Sequence, residues 1–95
     1  MTDIEITKAC AKAIGMEEAF LYDPLRFDAQ NAALDDVLLK HGEYVMRNDG
    51  FFYCDHRQGR SDFIHEADMT IAANRRRARC ECVAKLSEAI RRVEG

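Results

Sequence analysis

Two closely spaced turn signals, Asn48-Asp49-Gly50 and Gln58-Gly59, leave little choice for the middle of this chain. They separate three β-type runs, 43–47, 51–57 and 60–65, and connections this short join only antiparallel neighbours. The expectation is a three-stranded antiparallel meander. With Gln58-Gly59 as a two-residue turn, Arg57 pairs with Arg60, Asp55 with Asp62, Cys54 with Phe63 and Tyr53 with Ile64. With Asn48-Asp49-Gly50 as a three-residue loop, Tyr44 and Met46 join Phe52, Cys54 and Phe63 on one face, and Val45, Phe51, Tyr53 and Ile64 take the other.

Helical patterns bracket this meander. Thr2 and Glu5 form a capping-box pattern, and Ile6, Ala9, Cys10, Ala13 and Ile14 recur at helical spacing up to Gly15, which predicts a helix over about 3–14. Asp28 reads as the cap of a second helix over about 29–41, with Leu34, Val37, Leu38 and His41 on one side and Gly42 as its stop. Residues 16–27 have no period and contain Pro24, which biases Asp23 away from helix, so a surface loop is expected there. Asp68, with Thr70 as competitor, caps a long last helix over about 69–93. The result is an α+β domain of order ααβββα spanning residues 1–95, with helices on one or both faces of the sheet. Ninety-five residues can bury enough surface to fold without a metal or a disulfide.

Chemistry is sparse in this arrangement. In Cys54-Asp55-His56 the aspartate points away from its neighbours, so the triplet does not converge. Cys54 is expected to be a small buried hydrophobe among Phe52, Phe63 and Tyr44, with His65 diagonally across from it. Cys80 and Cys82 project about 200° apart on a helix and cannot grip one ion. The three histidines are scattered, and no phosphate-cradling glycine loop precedes a helix. The expectation is therefore no enzyme, no catalytic residue, no metal and no cofactor. The first residues lack the apolar core of a signal peptide or membrane span, which predicts a cytoplasmic protein with reduced cysteines and no membrane partner. The net charge of −3 argues against a dedicated nucleic-acid binder, although total charge hides its distribution.

Two surfaces are left as candidates for binding. One is the sheet face carrying Phe51 and Tyr53, with Arg57 and Arg60 beside Asp55 and Asp62 at its end as a solvated ion-pair cluster. It is either covered by a helix of the same chain or used to hold a partner. The other is the start of the last helix. Its apolar stripe runs through Cys82, Val83, Leu86, Ala89, Ile90 and Val93, and projected backwards it reaches Arg75 and Arg79, with Arg76 to one side and Arg77 opposite. Either these stems pack along the sheet while their heads meet water or acids such as Asp35, Asp36 and Asp68, or they form a basic knob for phosphate or an acidic protein. Oligomerisation stays open.

Five short motifs carry a resemblance: AIG closing the first helix, YDP at Tyr22 to Pro24, DAQ at Asp28 to Gln30, DGFFYC from Asp49 to Cys54, and HEAD at His65 to Asp68. Together they make the chain similar to the small bacteriophage proteins of the phage ABA sandwich domain family. The resemblance implies a β-meander with helices on both faces and supplies no established activity or catalytic residues to carry over. It departs where similar proteins carry tryptophan near Phe52-Tyr53 and fewer arginines around 72–77. The expectation it supports is a phage-type protein in the host cytoplasm that binds a host or phage protein or nucleoprotein complex. An inhibitor of a bacterial defence system, such as an anti-CRISPR protein, fits that class, and the alternative is a nucleic-acid-binding accessory protein using the arginine helix.

Overall fold

The structure, a computed structural model, describes residues 2–16, 22–56 and 60–94, with backbone alone at 60–62 and 88–94. Its elements are α1 (Asp3–Ala13), α2 (Asp28–His41), β1 (Gly42–Arg47), β2 (Gly50–Asp55), β3 (Arg60–Glu66) and α3 (Ala72–Glu94). The fold is α+β in the order ααβββα, with one antiparallel sheet of order β1-β2-β3.

The capping box is present: Glu5 N–H donates to Thr2 Oγ1, and the Glu5 carboxylate reaches back to the Thr2 N–H. At α2 the expected cap is displaced by one residue. Phe27 holds the N-cap position without a side-chain bond, and Asp28 sits in the first turn, where a negative charge still favours the helix dipole. The last helix also begins later than its spacing predicts. Asp68 accepts first from the Thr70 hydroxyl and then from the Thr70 N–H, which hold its carboxyl below the usual aspartate range, and this local turn keeps residues 68–71 out of the helix. Tyr22 and Pro24 are buried while Arg26 and Phe27 are exposed, so the described end of the 16–27 segment is surface loop only in part, and residues 17–21 lie outside the described residues.

The first hairpin differs from the expected register by one residue, and the second by two beside its turn and by one beyond a bulge. The first turn is the two residues Asn48-Asp49, so Arg47 pairs with Gly50 and Tyr44 with Tyr53. In the second hairpin Asp55 pairs with Arg60 and Cys54 with Ser61, and a bulge then brings Tyr53 opposite Phe63. A shift of one reverses the faces of a strand. Phe51, Tyr53, Asp55 and Phe63 therefore point inward and are buried, while Phe52 and Cys54 turn to the other side. The inner aromatic set explains the preference: Tyr44 stacks on Phe51, and Phe63 meets Phe51 edge-on. Asp55 is 1% exposed and so not part of a solvated cluster.

The helices serve this inner face. Tyr53 Oη donates to Leu38 O of α2 at 2.9 Å, and Tyr44 Oη donates to Asp35 of α2 at 2.8 Å. From α3, Glu81 pairs with His65 at 3.0 Å and the Lys85 ammonium lies over Phe63. The short α1 packs on α3 rather than on the sheet, with Ile6 and Cys10 in the core. Ala78, Cys80, Cys82, Val83 and Ala84 are all buried because α3 runs between α1, α2 and the sheet. Small side chains let three neighbours approach it. Among the described residues the helices lie over the inner face, and none lies over the outer one.

Candidate functional site

The outer face is built by alternation along three strands. Its central row is Val45, Phe52 and Ile64, with Val45 53% and Ile64 58% exposed. Arg47, Gly50 and Glu66 form one end, and Glu43 and Cys54 the other. The Phe52 ring leans toward the Gly50 end: a methyl group on Gly50 would lie 3.2 Å from its Cζ. Toward the other end lies an open depression of about 270 Å3 lined by Glu43, Tyr44, Val45, Phe52, Tyr53 and Cys54. Isolated exposed apolar side chains are ordinary, but three in one row across a sheet form a contiguous patch, and such patches mark interaction sites.

The sequence-predicted partner residues fall elsewhere. Phe51 is fully buried and Tyr53 is 2% exposed, so they belong to the core and not to a docking face. Arg57 lies outside the described residues, and Arg60 is described only by its backbone pairing with Asp55.

The four arginines in the first turns of α3, Arg75, Arg76, Arg77 and Arg79, each reach a different part of the chain. Arg75 Nη1 donates to Met69 O at 2.8 Å. Arg76 donates to Leu25 O and to Asp28, both at 2.9 Å, and its side chain is 18% exposed. Arg77 pairs with Asp3 of α1, and Glu81 is 3.9 Å away. Arg79 Nη1 donates to Asn31 Oδ1 at 3.3 Å, while its Nε lies 3.2 Å from Asp35 as an ion pair not aligned for a hydrogen bond. Of the acids expected to meet them, Asp35 does so. The guanidinium heads thus tie α3 to α1, to α2 and to the segments preceding α2 and α3. Replacing Arg75 and Arg79 together with glutamine is expected to lower stability by about 2 kcal/mol, between the cost of losing an exposed pair and a buried one. A denaturant titration checks it, and an unchanged midpoint would return the pair to the solvent.

Beneath them lies a buried polar cluster. Asn31, 1% exposed, donates to Pro24 O and Arg76 O, both at 2.9 Å, and faces Cys80 Sγ at 3.3 Å. Cys10 Sγ donates to Cys80 O at 3.4 Å. Interaction with Cys80, followed by burial, pushes the Cys10 thiol far up, and burial does the same to Cys82. Neither is poised as a nucleophile. Burial raises the Tyr22 phenol, and its hydroxyl has no partner among the described residues. Tyr44 is raised first by burial and then by Asp35.

Cys54 and His65 lie on opposite faces of the sheet, His65 being held inward by Glu81, so the diagonal placement expected from sequence does not hold. Among the described residues no three histidine, cysteine, aspartate or glutamate side chains gather to hold a metal, and no helix is long and apolar enough to cross a membrane. Sequence reasoning put Val45 and Ile64 on the candidate face but set Phe51 and Tyr53 beside them, and so missed Phe52. Its signal was the competition between two aromatic sets for the inner face, with Phe51 and Tyr53 the bulkier pair. Compared with protein-family models, curated proteins and solved structures, the chain finds no match.

Proposed function

We propose that this chain is a non-enzymatic binding protein that docks another protein on the open face of its sheet. The observation that carries this reading is the Val45, Phe52 and Ile64 row, apolar and outward, beside a depression able to receive a side chain. A protein suits this face better than a nucleic acid, because it offers apolar area and little cationic charge. The resemblance to small phage proteins supports a host or phage protein, or a nucleoprotein complex such as a bacterial defence assembly, as the kind of partner, and the host cytoplasm as the place.

The arginine helix supports the second reading, nucleic-acid binding, less well, since each head already bonds within the chain and would have to exchange partners to reach phosphate. Phe52→Glu separates the two. It is expected to leave folding within about 0.5 kcal/mol of wild type, as surface changes do, and to abolish capture of a protein partner from bacterial lysate. Capture that survives Phe52→Glu but falls steeply between low and high salt would instead support the arginine helix.

A further inference from the structure

From the geometry of the open face we infer that its occupant is a second copy of this chain, stacked face to face about a two-fold axis that crosses the strands. The inference rests on the reading of that face as a protein-docking surface and names the protein. Two features of the face complement each other under this one operation.

The first is shape. Phe52 leans toward the Gly50 end, and the depression lies at the end marked by Glu43 and Cys54. An axis crossing the strands reverses their direction, so the Phe52 ring of each copy meets the depression of the other. An axis along the strands would press ring against ring and leave both depressions empty.

The second is charge. The crossing axis stacks β1 on β1, with Val45 on Val45 at the centre, and brings Glu43 of one copy over Arg47 of the other, twice. Both side chains belong to exposed residues, and among the described residues Glu43 pairs with His56 at 3.9 Å. An isologous contact needs such self-complementarity, with each patch meeting its own copy. The three-row face is small for an interface, so a weak dimer is the expected product.

The test is sedimentation velocity on the full chain from about 10 μM to about 1 mM, a range that covers weak association. The mass is expected to rise with concentration from 10.9 kDa toward twice that value. Arg47→Glu and Glu43→Arg should each weaken the dimer at least about tenfold, and the two together, which restore opposite charges across the axis, should bring it back to within about threefold of wild type. Circular dichroism confirms that each exposed-site variant is folded. A monomer at every concentration, a dimer indifferent to Phe52→Glu, or a charge swap that fails to restore association overturns the inference. A monomeric chain whose capture of another protein still requires Phe52 would sink the self-association and leave the docking face standing. A monomeric chain whose capture ignores Phe52 would sink both.

Discussion

Gly42→Ala is expected to destabilise the fold by about 3 kcal/mol, at the upper end of what overpacking costs. The reason is space and not dihedral strain, because Gly42 has an extended backbone, φ −177°. Gly42 closes α2, begins β1 and pairs with Asp55. A methyl group there would lie 2.1 Å from the carbonyl oxygen of Cys54 and 2.8 Å from Tyr53 Oη. The first contact is backbone and cannot rotate away. The second belongs to the hydroxyl that anchors β2 to Leu38 of α2, so relief on either side pulls the sheet from its helix. Denaturant unfolding checks this, and an alanine variant as stable as wild type would show that helix and sheet do not meet so closely.

Asn31→Ala is expected to cost about 3 kcal/mol, because it withdraws donors from buried carbonyls while also removing an acceptor from a charged group. Pro24 O loses its bond from Asn31, Arg76 O loses a second donor, and Arg79 Nη1 loses Oδ1. Asn31 thereby joins the segment before α2, α2 itself and α3 through one side chain. Asn31→Asp tests the account from the other side. It keeps the shape but presents acceptors to Pro24 O and Arg76 O, so it should be no less harmful than alanine. A mild effect of either substitution, measured by thermal melting, would mean that water replaces the amide.

How much of this could be read from the chain itself follows from the physics of each signal. Element order was legible, since Thr2 with Glu5, Gly15, Gly42 and the Asn48-Asp49 turn are local codes that act within a few residues, whereas Gln58-Gly59 lies outside the described residues. Register was not. Asn48-Asp49-Gly50 accommodates a two- or a three-residue connection, and that single residue decides whether Phe51 or Phe52 faces the helices. The choice is made by packing at a distance, through Tyr44, Phe63 and the reach of Tyr53 to Leu38, none of which is adjacent in sequence. The arginines show the same limit. A helical projection places Arg75 and Arg79 on the inner stripe, but whether their heads meet acids depends on where Asp35 and Met69 come to lie. Consequently the sequence alone points to Phe51 and Tyr53 for the binding face, one residue away from Phe52, which is open.

The central claim is that β2 turns Phe52 and Cys54 outward and Phe51 and Tyr53 inward, which leaves an apolar sheet face for a partner. Thiol counting on the native protein tests it most directly, because Cys10, Cys80 and Cys82 are at most 1% exposed, whereas Cys54, on the outer face, is only partly buried. With a chromogenic disulfide reagent at high dilution, one thiol per chain should react promptly, mass spectrometry should place it at Cys54, and the other three should react only after unfolding. A native protein in which Cys54 is as protected as the other three would restore the register that buries it and contradict the account.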